Sequence, residues 1–244
     1  EVVFGDWSSD VCSSDLHFWI QWRFRILEKL IAPHLNPAVK ILEIGCGNGI
    51  VMSQIEDHCK VIPDGCDLNP QALRDMIPVS GKVFLYDIFD LNPDLVGQYD
   101  MVLILDVLEH IKDDSSFLGT AMKYLKPGGW MVAGVPAHQK LFSSYDRLMG
   151  HVRRYEEHEF RWLFHSVGLQ EIKTSFWGFS MLPLLWLRKV LLSVSDDKTV
   201  ITRGFKPPHP LFNRLMLYLM KAETTMFSTV PAGISLMATG RIPV

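Results

Sequence analysis

Cysteine is scarce in this chain. Four residues, Cys12, Cys46, Cys59 and Cys66, are spread over 244 positions without paired close spacing. That excludes a disulfide scaffold or a zinc ribbon and suits a reducing compartment. Long apolar runs are also missing: no uncharged apolar run approaches the ~18 residues a membrane-spanning helix needs. There is no internal repeat and no low-complexity tract. Neither sign of charge prevails, with 24 Lys and Arg against 27 Asp and Glu and a net charge of −3. An overall polycation built to hold nucleic acid is therefore excluded. What is present is 48% hydrophobic and 21% charged residues, enough to bury a large core. A cytoplasmic enzyme, dissolved or attached to a surface, fits these bounds.

The first residues stand apart. Gly5 to Leu16 (GDWSSDVCSSDL) resembles translated sequencing-adapter sequence, so residues 1–16 are expected to be non-native and the natural chain to begin further upstream. That stretch holds four acids and no base. Setting it aside brings the net charge to +1 and leaves three cysteines.

From His17 to Leu35, apolar residues at Trp19, Trp22, Ile26, Leu27 and Leu30 recur at helical spacing, and Pro33 ends the pattern. Short apolar runs then alternate with helical patterns. Strands are expected at 40–44, 61–67, 82–86, 101–105, 131–135 and 169–174. Helices are expected at 50–58, 71–77 (capped by Asn69, with Pro70 first), 117–125 (closing at Lys126-Pro127-Gly128-Gly129) and 156–167. Such alternation calls for a parallel sheet with helices on both faces. Residues 176–231 break the rhythm with helical stretches at 182–192 and 211–227, joined by a Pro-rich link at Lys206–Pro210. A final strand is expected at 234–242.

The strongest local signal is ILEIGCGNG, Ile41 to Gly49. A strand runs into Gly45, Gly47 and Gly49 and then into a helix. Glycines suit a backbone that turns tightly and meets a ligand directly, and the helix N–H groups favour an anionic or polar group. Glu43 lies inside the strand. Asp67 ends the next one, where a carboxylate can accept both ribose hydroxyls of a nucleoside cofactor.

With CDLNP (66–70), YDIFD (86–90), YDMVLILDVLEHI (99–111) and LKPGGWMVAGVP (125–136), the chain resembles the class I S-adenosylmethionine-dependent methyltransferases. The resemblance implies an α/β, Rossmann-like doubly wound sheet of seven strands, mostly parallel with an antiparallel last strand, and a helical insertion before that strand. It also implies S-adenosyl-L-methionine as cofactor. Gly45, Gly47 and Gly49 would lie against its methionine and ribose parts, with Glu43 alongside. Asp67 would take the ribose hydroxyls and Leu68 would flank the adenine. Asp87 and the Ile88 N–H would meet the adenine edge, and Asp106 would sit near the transferred methyl.

A second block, VPAHQKLFSSYDRLMGHVRRY (135–155), resembles a bacterial subfamily that pairs a D…GH-x-RRY segment with HFW (17–19) and P-x-G-x-S-L (231–236). A loop at the cofactor edge is expected here, with Asp146, Arg153, Arg154 and Tyr155 as substrate-binding residues. The arginines could hold an acidic group on the substrate or pair with Glu156, Glu157 or Glu159 on the next helix. An oxygen acceptor needs a base. His151 is the first candidate, then Asp106 and His138. The cluster Asp106-x-x-Glu109-His110 is similar to one that holds a divalent ion in some methyltransferases of this fold. It has Asp where they have Glu and no evident fourth ligand, so no metal is expected.

Charge is unevenly placed. Residues 17–31 carry +2 and residues 176–231 carry +4, whereas 32–175 hold 13 basic and 19 acidic residues. Cationic aromatic helices flanking an acidic body suit peripheral contact with the inner face of a membrane, or a lid over a lipid-linked or sugar-linked small-molecule substrate. The expected organisation is an N-terminal helix (17–38), a cofactor-binding core (39–175), a helical insertion (176–231) and the final strand (232–244). Two alternatives stay open: an NAD(P)-dependent oxidoreductase, and a non-catalytic membrane-associated scaffold that keeps the cofactor fold.

Overall fold

A computed structural model describes residues 17–192, 210–227 and 230–243. The adapter-like segment 1–16 and most of the Pro-rich link fall outside the described residues. Seven strands form one sheet among the described residues: β1 (Ile41–Ile44), β2 (Asp64–Asp67), β3 (Val83–Leu85), β4 (Tyr99–Leu105), β5 (Leu125–Pro136), β6 (Gln170–Trp177) and β7 (Ser235–Arg241). Their order is β3-β2-β1-β4-β5-β7-β6. The first five run parallel, and β7 lies antiparallel between β5 and β6.

The central strand β4 shows why the sheet is covered on both sides. Val102 and Ile104 join one apolar cluster with Phe117, Leu118, Phe160 and Phe164 of α4 (Asp114–Ala121) and α6 (Glu157–Ser166). Met101, Leu103 and Leu105 join the other, built from α1 (Phe18–Ile31), α2 (Ile50–Cys59) and the long helix before β7. Successive strand residues face opposite ways, so a strand buried on both faces reads as one apolar run. α1 docks with Trp22 fully buried. Trp19 and Trp22 sit 4.3 and 6.1 Å (ring centroids) from Trp177 at the end of β6.

Several boundaries move. α3 (Pro70–Arg74) is shorter than expected, although Asn69 caps it by accepting from the N–H of Gln71 and Ala72. β2 begins only at Asp64, after Pro63, which has no N–H to give a ladder. Lys126–Gly129 is not a helix end but the start of β5, held by the Ile242 N–H on the Gly129 carbonyl and by Arg241 Nε on Gly128. The boundary expected at 175/176 falls inside β6, where Phe176 and Trp177 pair with Leu236 and Ser235.

The insertion supplies α7 (Leu182–Leu192) and α8 (Pro210–Met226). α7 leans on residues 139–148, where Lys189 Nζ donates to the Lys140 carbonyl. α8 packs on α1. Asn213 Oδ1 accepts from the Phe18 N–H, and Lys29 Nζ donates to the Thr224 carbonyl. The buried carboxylate of Glu223 accepts from the N–H groups of Gly178, Phe179 and Ser180 at 2.9, 3.1 and 2.9 Å, fixing α8 to the end of β6.

Candidate active site

β1, β2 and β4 end side by side, and the loops that leave them form the crevice. After β1 the backbone enters the left-handed region at Gly45 (φ 80°), Gly47 (φ 54°) and Gly49 (φ 82°) before α2. A side chain at Gly45 would strike Val107 Cγ2 at 2.4 Å. One at Gly47 would project into open space, so that turn leaves a cradle that a Cβ would fill. The Gly47 N–H donates to Asp67 Oδ2 at 2.8 Å, and the Asn69 N–H to Oδ1 at 2.7 Å. Leu68 is exposed beside it. Asp87 Oδ1 accepts from the Phe89 N–H at 2.9 Å, capping the turn Ile88–Asp90, and Ile88 is buried.

Inside the crevice wall lies a concentration of acids. Glu43 is buried in mid-strand, and its Oε2 has no hydrogen-bond partner. Burial, helped by the charges of Asp67 and Asp106 and opposed by Arg23, pushes its carboxyl up to about 8. Asp106, the residue after β4, has a left-handed backbone (φ 55°) and forms an ion pair with Arg23 Nη1 of α1. Strained backbone of this kind persists where the surroundings over-determine it, often at functional sites. Arg23 was not singled out from the sequence. Its signal was a guanidinium in the middle of a helix whose neighbours are buried, and its own Nε lies buried without a hydrogen-bond partner.

Next to Asp106, Glu109, His110 and His151 bring ligand atoms within 4.8 Å of one another. Glu109 is 1% exposed, its Oε2 lacks a hydrogen-bond partner, and burial beside Asp106 holds its carboxyl well above the usual range. His110 is lowered to about 4, first by burial and then by His151. Its Nδ1 lies 3.3 Å from the Gly150 carbonyl. His151 Nδ1 lies 3.2 Å from Asp146 Oδ1, and its Nε2 lies 4.0 Å from Glu109 Oε1. Burial works to raise Asp146, but hydrogen bonds from His151, Arg154 and Ser143 and the charge of Arg154 hold its carboxyl well below the ordinary value. Two imidazoles and a carboxylate could also hold a divalent ion.

The 135–155 block is more ordered than a loop. It forms a short turn at Gln139–Leu141 and helix α5 (Ser144–Leu148), closed by a capping box between Ser143 and Asp146. The expected substrate-binding side chains are engaged within the chain. Asp146 and Arg154 are buried against each other, with Arg154 Nε 2.7 Å from Asp146 Oδ1. Buried Tyr155 donates to Asp114 Oδ2 at 2.8 Å. Arg153 pairs with Asp114 at 2.8 Å, so neither arginine uses the acids named on the next helix. His138, φ 62°, stacks on Phe176 and lies 3.3 Å from Glu156 Oε2.

Residues 17–174 match the methyltransferase-domain family. The chain belongs to that family. A ubiquinone biosynthesis O-methyltransferase of Thiobacillus denitrificans is 32% identical over 98 residues, which is 38% of this chain and 42% of that protein. Its counterpart from Xanthomonas axonopodis pv. citri is 26% identical over 132 residues, 50% of this chain and 52% of that protein. The chain thus spans about half or less of these curated relatives. Among solved structures, a SAM-dependent methyltransferase from Archaeoglobus fulgidus superposes with a TM-score of 0.56 at 15% identity, covering 92% of this chain and 98% of that one. Phosphoethanolamine N-methyltransferase 2 of Haemonchus contortus, in complex with S-adenosyl-L-methionine, gives 0.61 at 16%, covering 93% and 53%. At these identities the likeness is one of fold. A methyltransferase domain of this fold takes S-adenosylmethionine as methyl donor, and family membership sets aside the oxidoreductase alternative. The open cradle at Gly47, the carboxylate at the β2 tip and the unpartnered buried acid Glu43 fit that cationic adenosyl cofactor.

Proposed function

We propose that this chain catalyses S-adenosylmethionine-dependent methyl transfer to a hydroxyl oxygen of a small molecule, free or linked to a lipid or sugar. The cofactor supplies a methyl group already activated on a sulfonium, so the protein must align the acceptor and exclude water. Gly45, Gly47 and Gly49 would hold the methionine and ribose parts, Asp67 the ribose hydroxyls, Leu68 the adenine face, and Asp87 with Ile88 the adenine edge. Glu43 and Asp106 would lie beside the cationic end. Arg23, paired with Asp106, would cover the crevice from α1.

The single observation that carries the acceptor side is the Asp146–His151 pair. With Nδ1 facing the buried carboxylate of Asp146, His151 has Nε2 on the side of Glu109. A histidine oriented in this way takes a proton at Nε2 while the carboxylate stabilises the imidazolium that results. Asp146 is then a positioning residue, itself fixed by Arg154. The names of the O-methyltransferase relatives support an oxygen acceptor.

Calorimetry with S-adenosylhomocysteine and with NADH tests the donor half. Uptake of the first alone, weakened by Asp67→Ala, is expected. Absence of S-adenosylhomocysteine binding by the folded protein overturns the reading.

A further inference from the structure

Helix α8 is apolar on two opposite sides. Met216 and Met220, with partly buried Leu217 and Leu219, pack against the cluster of α1 and the sheet. On the other side Leu215, Tyr218 and Met226 recur at helical spacing and are 53%, 72% and 74% exposed. Single exposed apolar residues are ordinary, but a stripe of them at helical spacing marks a contact surface. Arg214 and Lys221 are exposed along its edge. The one acid of the helix, Glu223, is turned inward onto the amides of residues 178–180. α7 has the same make-up: Trp186 is 62% exposed, Leu187 is exposed, and the helix holds basic residues and no acid.

We infer that the outer face of α8, with α7, lies on a membrane surface that contains anionic lipid. Charge complementarity selects this occupant. Exposed Arg214 and Lys221 flank the apolar stripe of α8 while its one acid is turned inward, whereas residues 32–175 hold 13 basic against 19 acidic residues and would be repelled by the same surface. The asymmetry therefore orients the molecule, cap toward lipid and acidic body away. No helix among the described residues is long and apolar enough to cross a membrane. The contact is interfacial, with the apolar stripe sunk to headgroup depth.

Vesicle co-sedimentation of the full chain tests this. Binding to phosphatidylcholine–phosphatidylglycerol vesicles is expected, with little binding to phosphatidylcholine alone and progressive release as salt rises. Arg214→Glu with Lys221→Glu should weaken partition about tenfold or more, and Leu215→Gln with Tyr218→Gln should weaken it comparably. All four side chains are exposed, so circular dichroism and S-adenosylhomocysteine uptake should match the parent and report folding and cofactor binding separately. Absent binding, equal binding to neutral vesicles, or binding untouched by both variants overturns the inference. So does a dimer in light scattering that the Leu215/Tyr218 variant dissociates, because a second copy would then cover the stripe.

Discussion

The N–H of Gly47 is bonded to the carboxylate of Asp67 at 2.8 Å, which ties the glycine turn after β1 to the tip of β2. One hydrogen bond thus sets the spacing between the two halves of the cofactor cradle. Replacing Gly47 by Ala meets no neighbour but forces a side chain into φ 54°, at a cost of about 1–2 kcal/mol. The added methyl also enters the open cradle. Gly47→Ala should therefore remain folded in urea titration, yet lose far more S-adenosylhomocysteine affinity than stability. Equal affinity in the variant would show that the cradle is not the cofactor site.

Glu43 makes the cofactor-free protein pH-sensitive. Its folded carboxyl stands at about 8 against an ordinary 4.5, so the folded state holds a proton that the unfolded chain releases. Its contribution is greatest below about 4.5 and is lost as pH rises toward 8, with a slope of at most about 1.4 kcal/mol per pH unit. Chemical denaturation across that window should show stability falling with pH, and Glu43→Gln should flatten the curve. Parallel curves for parent and variant would contradict the assignment.

Arg23 and Asp106 join α1 to the end of β4. A double-mutant cycle with Arg23→Gln and Asp106→Asn should give a coupling energy of about 1–2 kcal/mol in unfolding experiments. Additive losses would mean that the pair does not hold the helix over the crevice.

His151→Ala should lower kcat by about two to four orders of magnitude while S-adenosylhomocysteine affinity stays near that of the parent. Treatment with a chelator should leave turnover unchanged, because Nε2 of His151 works as a base. Loss of activity on chelation, restored by added manganese or magnesium, would instead make Glu109, His110 and His151 metal ligands.

Glu223→Gln leaves three amides of residues 178–180 without their carboxylate. A loss of about 1–3 kcal/mol and faster proteolysis around α8 are expected. Unchanged stability would show that packing on α1 alone secures the helix.

Much of this was legible in the chain. The apolar runs at 41–44, 101–105 and 131–135 lie within strands because each is buried on both faces, and Gly45, Gly47 and Gly49 take the left-handed backbone that their spacing implied. Asn69 caps the helix it precedes. What stayed hidden depends on distant partners. The ion-pair partners of Arg153 and Arg154 are Asp114 and Asp146, 39 and 8 positions away. Nothing in local spacing connects Arg23 with Asp106, 83 positions on. His151 meets Glu109 only because α5 folds residues 144–148 back over the end of β4, where the Val152 N–H reaches the Glu109 carbonyl.

The position of β7 has an order-of-assembly consequence. It separates β5 from β6, so β6 can find no ladder partner until residues 235–241 have left the ribosome. During synthesis, β6 and the aromatic residues at its end must wait while both insertion helices are made. Pairing across such sequence separation is slow, which makes that interval the stage at which a nascent chain is most open to chaperones or to misassembly.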